Sequence, residues 1–284
     1  MRVALTGATG FTGRFVSAAL ERAGATPVAL TADLRDKSAV DREVDEAEFE
    51  RVIHLAGHAF VDVADWDAFY TINQLGTFHL LDAVSRRKNG IRCIIASSAQ
   101  VYGQHAEGLI AETAPVCPPN HYATSKYMME LGAGLWADQL DIVVTRPFNY
   151  TGVGQEARYL IPKIVDHFQR HAAVIELGNI HVRRDFGDVR SVADAYVGLA
   201  MAPASPTVVN ISTGRMSSIA EIMEILTELS GHEMDIAVNP AFVRKNDVEY
   251  LGGDPTLLRH TLPDWNPFNI EDTLRWLFEN NSPK

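Results

Sequence analysis

The sequence predicts an α/β fold, a doubly wound parallel sheet with a smaller second lobe, and three observations carry that expectation. Short apolar runs alternate with helix-period segments through roughly the first half of the chain. A glycine-rich turn, Gly7-x-x-Gly10-x-x-Gly13, follows the first apolar run and opens the first helical segment. A later helical segment carries Tyr122-x-x-x-Lys126, downstream of an apolar run that ends in the hydroxyls Ser97 and Ser98. Strand runs separated by helical patterns mean βαβ units and a parallel sheet covered on both faces.

Taken in order, strands are expected at residues 3–5, 28–30, 51–55, 91–96 and 142–145, with helices near 12–23, 39–46, 67–87 and 121–138 between them. After Asn149 the rhythm changes. Pro162 starts an amphipathic helix, residues 192–201 form another, and 207–211 read as a short strand. Ser218-Ile-Ala-Glu221 is a capping box opening a helix to Leu229, and Gly231 stops it. No internal repeat, low-complexity tract or long linker interrupts this order.

At 284 residues and 46% hydrophobic content, the chain is long and apolar enough for a full sheet plus a small lobe. No apolar run approaches the length of a membrane span, and Met1-Arg2 leads into the first strand without a secretory leader, so a cytoplasmic protein is expected. Cys93 falls in a strand pattern and Cys117 in a Pro-rich loop; both read as unpaired thiols, which suits a reducing compartment. His54, His58 and His121 occur one per segment without metal-ligand spacing, so no metal is expected. A formal net charge of -11 argues against general nucleic-acid affinity and requires any polyanionic ligand to meet a local cationic pocket.

The two motifs together describe a redox site. In a strand, turn and helix context, glycines let the backbone approach a dinucleotide pyrophosphate, and the helix N-terminus supplies N–H donors and the positive end of a dipole. The spacing departs from G-x-G-x-x-G, so the turn alone also fits a plain tight connection. Tyr122 and Lys126 lie one helical turn apart on one face, where an ammonium can stabilise a phenolate. Ser97 and Ser98 stand where a parallel sheet opens its ligand crevice, although strand-end serines also serve as simple caps.

These residues resemble a known family, the extended short-chain dehydrogenase/reductases, in particular those that modify nucleotide-activated sugars. The likeness runs through nearly the whole chain. It rests on Thr6-Gly7-Ala8-Thr9-Gly10-Phe11-Thr12-Gly13, His54-Leu55-Ala56, Asn73-x-x-Gly76-Thr77, Ser97-Ser98-x-x-Val101-Tyr102-Gly103, Tyr122-x-x-x-Lys126, Arg146-Pro147-Phe148-Asn149 and Arg184-Asp185-Phe186-x-Asp188-Val189. The stretch Arg146 to Gln155, Gly178-Asn179 and Val243-Arg244-x-Asn246-Asp247-Val248 are most similar to the subgroup that reduces GDP-4-keto-6-deoxy-mannose. The resemblance implies a Rossmann-type sheet with an interleaved C-terminal substrate lobe. Residues 1–150 plus 185–211 would bind the dinucleotide, and 151–184 plus 212–284 the nucleotide sugar.

It further implies carbonyl reduction by hydride from a nicotinamide, with Tyr122 protonating the forming alkoxide and Lys126 lowering the tyrosine pKa and binding the nicotinamide ribose. Ser98, by motif register, polarises the substrate carbonyl; Ser97 would point to the opposite face, and Asn73 supports the lysine. Cofactor contacts are expected from Gly7, Gly10, Phe11, Thr12, Gly13, Arg14, Asp33, Leu34, Leu55, Ala56 and Gly57 besides Tyr122 and Lys126. Asn149 would lie beside the sugar diphosphate, held by Arg184 and Arg244 as planar donor forks. Arg183 would face away, and Arg190 would serve an ion pair.

NADP(H) is favoured over NAD(H). The second strand is expected to end at Leu30, which leaves Thr31 where a ribose-binding acid belongs; Asp33-Leu34 looks like the pair set against adenine; Arg14, with Arg35 as a second cation, suits a 2'-phosphate. Tyr150 replaces the His usual in those reductases. Gln100 stands where many relatives have Glu, so Ala99-Gln100 lacks the carboxylates that dehydration needs. A nucleotide-sugar 4-epimerase with tightly bound NAD and a non-catalytic dinucleotide-binding sensor stay open. In many relatives the helices near 67–87 and 121–138 form a homodimer through a four-helix bundle, and Leu131, Leu135 and Trp136 with the small residues 132–134 fit such a surface.

Overall fold

The computed structural model describes residues 1–59, 66–87, 89–103, 107–242 and 248–281. The chain starts with β1 (Arg2–Thr6), α1 (Phe11–Arg22), β2 (Thr26–Leu30), α2 (Lys37–Glu46) and β3 (Arg51–His54). Next comes α3 (Trp66–Ala68), which runs through a π-helical stretch, Phe69–Gly76, into α4 (Thr77–Ser85). It continues with β4 (Arg92–Ala96), a 3-10 turn (Ala99–Tyr102), β5 (Gly108–Ile110), α5 (His121–Ala133) and β6 (Asp141–Pro147).

Among the described residues, six parallel strands stand in the order β10-β6-β4-β3-β1-β2, with β10 at Val208–Ile211. Side-chain alternation explains why this sheet is covered twice. Val3 and Leu5, Ile94 and Val143 point to one face, where Val16 and Leu20 of α1 meet Tyr196 and Leu199 of α7 (Val189–Met201). Ala4, Cys93 and Ile95, Ile142 and Val144 point to the other, against Val40, Leu80, Leu81, Val84 and Met129. Every one of these strand residues is at most 7% exposed, so the strands read as nearly unbroken apolar runs.

The remainder follows β6: β7 (Asn149–Thr151), α6 (Leu160–Gln169), β8 (Val174–Leu177), β9 (Arg183–Asp188), α7, β10, β11 (Met216–Ser218), α8 (Ile219–Ser230), β12 (Asp235–Val238), β13 (Tyr250–Gly253), α9 (Thr256–Thr261) and α10 (Ile270–Asn280). The predicted capping box is present, with the Ser218 hydroxyl accepting from Glu221 N and the Glu221 carboxylate from Ser218 N, and α8 stops at Gly231 in the left-handed region (φ 66°). A separate apolar core gathers Ile161, Val165 and Phe168 of α6, Ile222 and Leu226 of α8, and Leu274 and Leu277 of α10. The expected elements are all found. Two differ in kind: residues 67–87 form an α-π-α succession, and the helix expected over 121–138 is α-helical only to Ala133 and continues as a 3-10 turn, Gly134–Trp136.

Candidate active site

The C-terminal ends of β1, β3 and β4 and the N-termini of α1 and α5 converge on one edge of the sheet, where a parallel sheet binds ligands. At β1 the turn is built for backbone approach. Gly7 has φ 70° and a Cβ there would stand 2.9 Å from Ala56 N; a Cβ on Gly13 would stand 2.0 Å from Gly7 O. Gly10 N donates to Gly7 O at 3.0 Å, and Gly10 caps α1 without a side-chain bond and with no acid in the first turn. The N–H donors at this helix end are left for an anion. Leu55, Ala56 and Gly57 follow β3 directly beneath the turn, so a dinucleotide pyrophosphate fits this cradle.

Phe11 and Thr12 are drawn into a contact that the sequence did not reveal. The Phe11 ring stacks on Tyr150 at 6.2 Å, and Thr12 Oγ1 lies 2.8 Å from Tyr150 OH. Tyr150 of β7 thus joins the glycine turn to the strand carrying Asn149. Arg14 takes a different course from the one expected of it. Its guanidinium nitrogen would be 2.9 Å from a Cβ on Gly154, so it lies against the turn after β7, in the space that this glycine leaves open. At the end of β2, Asp33 forms a bidentate pair with Arg35 and its carboxyl is held down to about 2 by those hydrogen bonds. Leu34 is buried against Gly76. An acid does stand at this strand end, supplied by α2: Glu43 accepts from Thr31 N at 2.7 Å and Ala32 N at 2.8 Å.

The second half of the site is set by α5, whose N-cap Asn120 accepts from Ala123 N at 2.8 Å. Tyr122 and Lys126 follow on one face, both buried. Lys126 Nζ donates to Ala96 O, the last carbonyl of β4, at 2.8 Å. Ser98 Oγ accepts from Gln100 N at 3.2 Å, so the serine caps the 3-10 turn and still faces the tyrosine, whereas Ser97 turns away to Glu130. Glu130, one further turn along α5, is buried in an ion pair with Arg146, whose guanidinium lies 4.9 Å over the Tyr102 ring.

Electrostatically the pair differs from expectation. Burial pushes the Tyr122 phenol up to about 12, opposed by the Ser98 hydroxyl, and pushes the Lys126 ammonium down to about 8, opposed by the Glu130 carboxylate. Loss of water prevails for both groups, over the Ser98 hydroxyl at Tyr122 and over the Glu130 carboxylate at Lys126. A protonated phenol facing a hydroxyl can still donate to a developing alkoxide, with an ammonium one turn away to receive the resulting charge. Gly57 lies between Asn73 and this ammonium: its Cβ would be 3.0 Å from Asn73 Oδ1 and 3.2 Å from Lys126 Nζ. Asn73 holds the backbone of His58 from both sides, accepting from its N at 2.7 Å and donating to its O at 3.0 Å.

Farther out, exposed Asn149 on β7 pairs in register with Phe186 of β9, two residues from Arg184. The Arg184 guanidinium donates to Arg183 O at 2.7 Å. Arg183 turns away to Glu221, and Arg190 pairs with Asp188 between Phe268 and Trp276, as their sequence positions suggested. Arg244 lies outside the described residues. Among the described residues no three His, Cys, Asp or Glu side chains gather as a metal cluster, and no helix is long and apolar enough to cross a membrane.

Known proteins match this chain along its whole length. The profile of the family described as GDP-mannose 4,6 dehydratase matches residues 21–275. The GDP-6-deoxy-D-talose 4-dehydrogenase of Aggregatibacter actinomycetemcomitans is 33% identical over 99% of this chain and 98% of its own. The GDP-6-deoxy-D-mannose reductase of Pseudomonas aeruginosa is 33% identical over 96% and 95%. Among solved structures, RMD from Pseudomonas aeruginosa complexed with NADPH superposes with a TM-score of 0.89 at 30% identity, covering 98% of both chains. The chain belongs to the GDP-mannose 4,6-dehydratase family of extended short-chain dehydrogenase/reductases.

Proposed function

We propose that this protein is an NAD(P)-dependent oxidoreductase that reduces the 4-keto group of a nucleotide-activated 6-deoxyhexose, GDP-4-keto-6-deoxy-mannose, to GDP-rhamnose or its C4 epimer. The carrying observation is the Ser98, Tyr122 and Lys126 cluster at the end of β4 with Ala99-Gln100, and hence no carboxylate, beside the hydroxyl. Without that carboxylate the site retains carbonyl reduction and loses the acid–base pair for eliminating water. The relatives named for a 4-dehydrogenase and a reductase of GDP-6-deoxyhexoses support the same substrate class.

In this reading residues 1–150 plus 185–211 bind the dinucleotide and 151–184 plus 212–284 the nucleotide sugar. The nicotinamide, when bound, supplies the hydride. The glycine turn and the α1 N-terminus hold its pyrophosphate, and Lys126 its ribose. Ser98 donates a hydrogen bond to the substrate carbonyl oxygen, and Tyr122 delivers the proton to that oxygen as it becomes an alkoxide. Arg184 and Arg244 clamp the diphosphate beside Asn149. NADPH is the preferred cofactor: Arg35 brings a cation to the end of β2 and a relative 30% identical holds NADPH, while the Glu43 carboxylate works against a 2'-phosphate. The protein acts as a homodimer, with the outward apolar residues Leu75, Met128, Leu131 and Leu135 at 47, 42, 61 and 81% exposure forming the contact.

The test is NADPH oxidation followed optically with GDP-4-keto-6-deoxy-mannose beside its dTDP and UDP counterparts, with NADH in parallel. Oxidation with the GDP sugar that falls about 10²- to 10⁴-fold in Tyr122→Phe is expected. No oxidation with any of the three sugars refutes the reading and turns attention to a 4-epimerase, which consumes no net NADPH, or to a sensor that binds cofactor without turnover.

A further inference from the structure

His54, the last residue of β3, is 2% exposed and takes no part in the chemistry above. It lies in a buried chain of hydrogen bonds whose proton order follows from the atoms themselves. Thr77 Oγ1 is 2.6 Å from Asn73 O, and a carbonyl only accepts, so the single Thr77 hydroxyl proton is used there. Thr77 Oγ1 is also 2.9 Å from His54 Nε2 and must accept, so Nε2 carries a proton. Burial and the Lys126 ammonium push the imidazole down to about 3, so the ring is neutral and Nδ1 is bare. Nδ1, 2.6 Å from Thr6 Oγ1, accepts the Thr6 hydroxyl proton, and that oxygen in turn receives Ala56 N–H at 3.1 Å. One arrangement satisfies every group.

The hydrogen-bond chain connects parts of the site that lie far apart in the sequence. At one end are Thr6, which leads into Gly7, and Ala56, against which Gly7 is packed. At the other is Asn73, in the π-helical stretch, whose carbonyl accepts the Thr77 hydroxyl and whose side chain holds His58 beside Gly57 and Lys126. Thr6, His54, Asn73 and Thr77 are all at most 2% exposed, so water cannot replace a lost member. We propose that His54 is a positioning residue that, as the neutral Nε2–H tautomer, locks the glycine turn to the Asn73 turn and so fixes the floor on which Lys126 and the cofactor are placed. This rests on the reading of Lys126 and the glycine turn as the cofactor site.

The experiment compares wild type, His54→Leu, His54→Gln and Thr77→Val by NADPH titration and by steady-state reduction of GDP-4-keto-6-deoxy-mannose. Histidine ring nitrogens of the wild type are followed by ¹⁵N NMR from pH 7 to pH 4. His54→Leu and Thr77→Val are expected to fold, by circular dichroism, to weaken NADPH binding and to lower kcat/KM about ten- to a hundredfold. His54→Gln, which again offers one acceptor and one donor, should recover most of the loss. A ring protonated at Nε2 and unchanged down to pH 4 is expected. An Nδ1–H tautomer, or Leu and Val variants that bind and turn over as the wild type does, overturns the proposal. Thr77→Val keeps it testable if His54→Leu fails to fold. Failure of the wild type itself to bind NADPH or NADH would instead refute the underlying cofactor reading.

Discussion

Replacing Lys126 by Met should make the folded protein more stable while abolishing its activity, and the size of the effect should depend on pH. Burial holds the ammonium down from 10.5 to about 8, a difference equivalent to about 3 kcal/mol carried as destabilisation at neutral pH. Methionine fills much the same volume without charge. It also leaves Ala96 O without its 2.8 Å partner, which costs about 1–3 kcal/mol. The net gain at pH 7 is therefore about 0–2 kcal/mol. The sign of the pH dependence is fixed by the depressed pKa. Between about 8 and 10.5 the unfolded wild type binds the proton that the folded protein has released, so wild-type stability rises with pH through that window and the variant's advantage disappears. From pH 7 to pH 10 the difference between the two proteins should change by about 2–3 kcal/mol, a quantity in which the lost hydrogen bond cancels. Urea denaturation of both proteins at the two pH values measures it. An advantage that stays constant with pH, or grows, would show that Lys126 is not held below its ordinary value and would sink the electrostatic account of the site.

Other consequences follow from packing. Gly13→Ala places a methyl 2.0 Å from Gly7 O, which backbone cannot yield cheaply; a loss of about 1–3 kcal/mol in urea unfolding is expected, together with loss of NADPH binding. Glu130→Ala strands the Arg146 guanidinium in the interior and should cost about 3–5 kcal/mol, whereas Glu130→Gln, which keeps the acceptor for Ser97 and Arg146, should cost less; thermal or urea unfolding ranks them. Leu131→Glu combined with Leu135→Glu puts charge on two strongly exposed leucines, one on α5 and one in the 3-10 turn that follows it, and should yield monomers in sedimentation analysis with unchanged circular dichroism; a variant that remains dimeric would move the interface elsewhere.

The sheet was legible in the sequence because the two-residue alternation that sends Val3 and Leu5 one way and Ala4 the other recurs in residues 93–95 and 142–144, and only a strand buried on both faces gives continuous apolar runs with that content. The glycine turn and Tyr122-x-x-x-Lys126 were legible for a similar reason, since backbone approach and helical spacing are local properties. What stayed hidden was set by neighbours remote in sequence. The direction of Arg14 depends on room left at Gly154, the acid at the end of β2 is lent by Glu43 from the next helix, and Tyr150 reaches Thr12 across the sheet edge. Residues 67–87 read as one helix because hydrophobic periodicity over so short a span does not separate an α-helix from the π-helical stretch Phe69–Gly76.

The charge state of the tyrosine–lysine pair shows most plainly where local reading ends. Spacing on a helix says that an ammonium is near a phenol and suggests mutual stabilisation. The outcome turns on depth, and depth is decided by β4, whose Ala96 carbonyl takes the ammonium, and by the apolar layer that removes water from both groups. Each group is then driven toward its neutral form, the phenol up and the amine down. A site so arranged keeps Tyr122 protonated and ready to donate across the physiological range, while Lys126 keeps its charge below about pH 8, helped by the Glu130 carboxylate one turn farther along α5. The buried Glu130–Arg146 pair, which the strand and helix patterns gave no reason to single out, is thereby tied to the chemistry as well as to the fold: a change there should be felt at Lys126 as well as in the stability of the sheet.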